Sequence, residues 1–161
     1  MGERSISRKL TTQFAETWLK SHPGGTVISR DLTALDIPAI GAPWAAAAHA
    51  PEDARTTEQA KLLSISDQLI ADLQQADEYV FGVPMHNFSI PSTLKLWIDQ
   101  VVRAGKTFSY SSAGPKGLLT GKKPPCSSRA AAPTNKAVRV PPTTLSPLTC
   151  SRFLVSSASP T

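Results

Sequence analysis

A near-continuous apolar stretch, Tyr79-Val80-Phe81-Gly82-Val83, runs directly into Pro84-Met85-His86-Asn87-Phe88-Ser89-Ile90-Pro91 and then into a segment with helical spacing. A strand with no polar alternation must be covered on both faces, the condition of a buried parallel strand. A chain that hands such a strand to a helix has an α/β fold. In that class, ligands bind where the carboxyl ends of strands give way to helices. The connecting loop, with two prolines, one amide and two ring side chains, is suited to holding a flat molecule.

The remaining periodicity supports this class. From Ser5 to about His22, Ile6, Leu10, Phe14 and Trp18 recur every four residues and form one stripe of a helix. Ser5 is its candidate N-cap, and Pro23-Gly24-Gly25 stops it. Thr26-Val27-Ile28-Ser29 reads as a short β-branched strand. Asp31 to Pro51 reads as a long connection, of a length commonly functional or flexible. A second helix is predicted over Thr56 to about Gln75, with Leu62, Ile65, Leu69, Ile70 and Leu73 on its apolar face. Glu78 to Val83 is the buried strand. A third helix spans Pro91 to Ala104, with Leu94, Ile98, Val101 and Val102 inward and Gly105 as its stop. Thr107-Phe108-Ser109-Tyr110 reads as extended, and Gly114-Pro115-Lys116-Gly117 as a turn.

Charge separates the chain into two parts. The formal net charge is +5, but residues 1–123 hold 13 basic and 12 acidic side chains, while the remainder holds four basic and none acidic. A basic excess confined to a tail without interleaved aromatics is a solvated tract rather than a nucleic-acid surface. No run of about 18 apolar residues offers a membrane span, and the N-terminus lacks the apolar core of a secretory signal. The expected location is therefore cytoplasmic. Cys126 and Cys150 have no metal-ligand spacing and read as two free thiols, with a disulfide as the alternative. His22, His49 and His86 are scattered, so no metal site is expected.

Residues 124–161 hold seven of the 14 prolines and seven serines and show no sustained period. Such a segment buries too little apolar area to offset its ordering entropy and is expected to be disordered or poorly packed. A Pro/Ser linker to a further domain is the rival reading. Residues 1–123 form the expected domain. A doubly wound sheet needs a central strand before the first helix, and none is legible before Ser5, so an incomplete sheet is expected.

The ordered run Pro84-Met85-His86-Asn87-Phe88-Ser89-Ile90-Pro91, then Leu94-Lys95, Trp97-Ile98-Asp99 and Arg103-Ala104-Gly105-Lys106-Thr107-Phe108, resembles the FMN-dependent NADH:quinone oxidoreductases known as azoreductases. The likeness extends through Arg30-Asp31-Leu32, Gly114 to Leu119 and Gly121-Lys122-Lys123, and spans about residues 2–123. It implies a flavodoxin-like doubly wound parallel sheet lacking its first and C-terminal strands. It also implies FMN as cofactor, NADH or NADPH as co-substrate, a quinone or azo acceptor reduced by a ping-pong route, and a homodimer.

Ser5, Ile6 and Ser7 match the family's FMN-phosphate segment. Hydroxyls and free amides at a helix N-terminus suit an anion, and a plain serine cap is the alternative. Met85, His86, Asn87 and Phe88 match the loop along the isoalloxazine ring. Asn87 could equally close its own turn and Phe88 could equally be core. His86 stands where relatives often carry tyrosine. No catalytic side chain is assigned, because FMN carries the hydride chemistry. Phe108 and Tyr110 match a segment near the partner subunit's pocket in the family, and ordinary core packing accounts for them equally well. Pro147–Thr161, back-translated and read in a frame shifted by one position, can be made to resemble the family's next segment, so a frameshift near Lys123 is the expected origin of the tail.

Overall fold

The computed structural model describes residues 5–123 together with the backbone of two further strands, Cys126–Ser128 and Arg152–Ser157. Helix α1, Ile6–Ser21, starts at Ser5, whose hydroxyl accepts a hydrogen bond from the Arg8 amide at 3.4 Å. It ends at His22, which donates its amide to the Trp18 carbonyl and stacks its ring on Trp18 at 4.2 Å. Strand β1, Thr26–Arg30, follows.

The connection after β1 is not wholly irregular, because helix α2 occupies Ala42–His49, with Pro43 in its first turn. A run of alanines has no apolar period to reveal it, yet alanine is the strongest helix former. A single turn of 3-10 helix at Glu52–Ala54 leads to helix α3, Thr57–Gln75. Thr56 and Gln59 cap α3 reciprocally: the Thr56 hydroxyl accepts from the Gln59 amide, and the Gln59 side chain accepts from the Thr56 amide. Strand β2, Glu78–Gly82, and helix α4, Ser92–Val101, flank the 83–91 loop. Phe108–Ser111 (β3) and Gly114–Gly117 (β4) pair antiparallel, so the expected turn at Gly114–Gly117 is half of a hairpin.

Cys126–Ser128 (β5) and Arg152–Ser157 (β6) complete the main sheet, whose order is β1-β6-β2-β5. β5 runs parallel to β2, whereas β6 runs antiparallel to both β1 and β2. The sheet is therefore mixed rather than wholly parallel. Sequence periodicity offers no strand after Lys123; the two found here answer to open backbone edges of β1 and β2, which a period cannot reveal. The expectation of disorder for the rest of 124–161 lies outside the described residues, as does the pairing state of Cys126 and Cys150. Among the described residues no strand precedes α1.

The sheet is covered on both faces. Glu78 and Gly82 of β2 meet α1: Trp18 Nε1 donates to Glu78 Oε2 at 2.8 Å, and Gly82 abuts Thr11. Tyr79 and Phe81 point the other way, where the Tyr79 hydroxyl donates to the Leu73 carbonyl at 2.6 Å and Phe81 packs edge-on against Trp97. Leu32, Ile37, Leu69, Leu73, Leu94 and Trp97 belong to the main core on this second face.

Three helix faces differ from expectation. In α1 the buried residues are Ser7, Thr11 and Trp18, while Ile6 is 63 % exposed. Small polar groups face the sheet because Gly82 lets the helix approach closely. In α3, Leu62 is exposed and Leu63 is buried instead, because α2 covers the flank with Trp44 and Ala47. Likewise Val102 lies exposed just past the end of α4, and Trp97 takes the inward place.

Candidate functional site

Strands β1 and β2 run the same way and end at Arg30 and Gly82, beside the start of α1. The two candidate segments meet at Gly82. A Cβ there would lie 2.3 Å from Thr11 Cγ2 and 3.0 Å from the Ser7 carbonyl oxygen. The 83–91 loop therefore leaves β2 at the first turn of α1, and glycine is what permits the approach.

At that first turn, the Ser5 and Ser7 hydroxyls are 3.1 Å apart; Ser5 is half-buried and Ser7 only 4 % exposed. The turn carries no acidic residue. Arg8 follows directly, its Nη2 2.5 Å from Asp31 Oδ2, and its buried Nε has no hydrogen-bond partner among the described residues. Asp31 Oδ1 accepts from the Thr33 amide and hydroxyl. Next to it, Arg30 donates two hydrogen bonds of 2.6 and 3.0 Å to Asp72, and bonding to that carboxylate holds the Arg30 guanidinium charged even more firmly than usual. Both carboxylates near this edge are thus committed to arginines. Helix amides and two hydroxyls, at a first turn that carries no carboxylate, are groups that suit an anion of phosphoryl type.

The 83–91 loop contains a tight turn. The His86 and Ser89 amides and carbonyls bond each other reciprocally at 2.9–3.0 Å, and the two central residues, Asn87 and Phe88, have φ of 47° and 61°. Asparagine tolerates this region; phenylalanine is strained there. Phe88 is 93 % exposed and Met85 66 %, so neither is core in this structure. His86 and Asn87 are exposed too. A strained turn that presents an aromatic ring, a thioether and an amide to solvent at a strand's carboxyl end offers walls and polar contacts for a flat ring system.

Of the expected site residues, Ser5, Ser7, Met85, His86, Asn87 and Phe88 all lie at this edge. Ile6 is there by its backbone, its side chain facing solvent. Sequence reasoning missed Arg8 and Gly82. A basic residue immediately after the serine pair and a glycine closing an apolar strand were the available signals.

A family model described as flavodoxin-like fold matches residues 1–140. The chain belongs to this flavodoxin-like family. It is 54 % identical over 121 residues to an FMN-dependent NADH:quinone oxidoreductase of Acidobacterium capsulatum, covering 75 % of this chain and 59 % of the relative. It is 46 % identical over 123 residues to an FMN-dependent NADH:quinone oxidoreductase of Burkholderia lata, covering 76 % and 59 %. Among solved structures, an azoreductase from Bacillus anthracis superposes with a TM-score of 0.68 at 34 % identity, covering 76 % of this chain and 60 % of that one. An FMN-dependent NADH-azoreductase from the same species, in complex with FMN, superposes at 0.58 with 29 % identity, covering 74 % and 58 %. This flavodoxin-like chain thus spans about three-fifths of the length of the relatives it matches.

Proposed function

We propose that this flavodoxin-like chain carries the FMN-binding part of an NAD(P)H oxidoreductase that reduces quinones and azo compounds by a ping-pong route. The reading rests on one observation: a hydroxyl-lined helix start and a strained, solvent-presented Met85–Phe88 turn lie side by side at the carboxyl edge of the sheet. The donor chemistry fits FMN. Ser5, Ser7 and the first amides of α1 would hold its phosphate, and Met85, Asn87 and Phe88 would border its ring. FMN, when bound, accepts hydride from the nicotinamide and delivers electrons to the acceptor. The chain's own residues bind and orient; none is assigned to proton transfer.

We place this binding unit in residues 1–123, in a cytoplasmic protein that acts as a homodimer. Among the described residues, no helix is long and apolar enough to cross a membrane. An antiparallel β6 in a sheet whose other pairing is parallel favours a second reading, a flavodoxin-like remnant that does not retain flavin.

Flavin titration of the full-length chain decides between them. Quenching of FMN fluorescence is expected, weakened about tenfold (about 1.4 kcal/mol) by Ser5→Ala with Ser7→Ala. NADH-dependent reduction of benzoquinone should accompany it. A chain that folds but does not quench FMN fluorescence supports the remnant.

A further inference from the structure

The gap between β1 and β2 is the least ordinary feature of the sheet. Both strands run the same way, each pairs on its inner side with β6 alone, and α1 and α3 both contact β6 from above and below. The register is unbroken: Val27 opposes Ser156, which opposes Glu78, and Arg30 opposes Phe153, which opposes Phe81. A position covered on both faces calls for a near-continuous apolar strand. After Lys123 the chain contains one run of three large apolar residues, Phe153-Leu154-Val155. That run sits at the centre of the gap.

We propose that the segment Arg152–Ser157 is an intramolecular donor strand, which latches the two halves of the sheet by filling a strand-acceptor slot between β1 and β2. The slot is one strand wide, so removing its occupant leaves the inner backbone edges of β1 and β2 without partners and too far apart to pair with each other. Antiparallel insertion satisfies both edges. It also starts the strand at the carboxyl ends of β1 and β2, where Arg152 opposes Gly82 beside the first turn of α1. Arg152–Ser157 is thereby a working part of the fold, and its release would bare a slot for an extended apolar strand.

Cysteine pairs in the full-length chain test this, with Cys126 and Cys150 replaced by serine. Directly opposed antiparallel residues come within disulfide reach, whereas a three-residue offset adds about 10 Å. Val27→Cys with Ser156→Cys should therefore close an intrachain disulfide about tenfold faster than Val27→Cys with Phe153→Cys. Equal rates, a preference for the second pair, or disulfides only between chains would overturn the proposal. As an independent arm, Leu154→Pro should abolish cooperative urea unfolding, while Leu148→Pro, outside the strand, should leave it intact. An unchanged transition for Leu154→Pro would likewise overturn it.

Discussion

Phe88 is costly to the fold and stands where the proposed FMN ring would lie. A phenylalanine held at φ 61° has its Cβ crowded against the backbone, at a cost of about 1–2 kcal/mol. Nothing in the core compensates, since the ring is 93 % exposed. Phe88→Gly removes that strain but gives back part of it through the freer unfolded chain. The urea midpoint should therefore rise by the equivalent of about 0.5–1 kcal/mol, while FMN affinity falls about tenfold. A variant that is more stable and binds FMN as well as before would show that the ring is no wall of the site. Tyr79 lies at the opposite extreme. Burial, with the nearby Asp77 charge adding to it, raises its hydroxyl above the usual phenol range, and that hydroxyl bonds the Leu73 carbonyl. Because the folded-state value is raised, the contribution is fully present below about pH 10 and is lost as pH rises through the folded value. Tyr79→Phe should lower stability by about 1 kcal/mol at neutral pH and flatten the alkaline fall, read from urea midpoints between about pH 8 and 11.

At the scale of elements, helix α2 is held by a buried polar clamp. The side chain of Gln100, fully buried in α4, accepts from Trp44 Nε1 at 3.0 Å and donates to the Pro38 carbonyl at 2.9 Å. Beside it Ser66 donates to the Gln100 carbonyl, and buried Arg103 bonds Ser66 and Asp67. Gln100→Leu keeps the volume but strands an indole N–H and a carbonyl, at a cost of about 2–4 kcal/mol. The expected result is a lowered urea midpoint with Trp44 exposed to acrylamide quenching before global unfolding. Coincident loss of both signals would mean that α2 is not separately held. This clamp also explains what was and was not legible. Helix α3 was readable because Leu69, Ile70 and Leu73 repeat at helical spacing against one core. Helix α2 was not, since Trp44 and Ala47 bury against Leu63 and the clamp residues lie far apart in sequence. The α1 stripe was misread for a related reason: Gly82 reverses the usual preference by admitting Ser7 and Thr11 where larger apolar residues would clash.

Over the whole molecule, the two sides of the sheet are unequally furnished. The main core joins Leu32 and Ile37, three residues of α3, Tyr79 of β2, and Leu94, Trp97 and Val101 of α4, all on one side. On the other side α1 contributes one large buried side chain, Trp18, with Ser7 and Thr11 as its remaining buried residues. The class of fold was legible because a buried parallel strand leading to a helix imposes two covered faces. That imbalance was not, since it follows from which helix sits over the glycine-ended strand. Local opening free energy tracks buried apolar contact, so α1 should open before α3 and α4 do. Native-state hydrogen exchange of the full-length chain should show α3, α4 and β2 amides exchanging slowest, near the global unfolding limit. The α1 amides should exchange about tenfold or more faster, corresponding to about 1.4 kcal/mol less protection. Helices α1 and α3 protected to the same degree would mean that the serine–threonine face of α1 holds as firmly as a leucine face, and α1 would then be part of the rigid frame rather than its most readily released element.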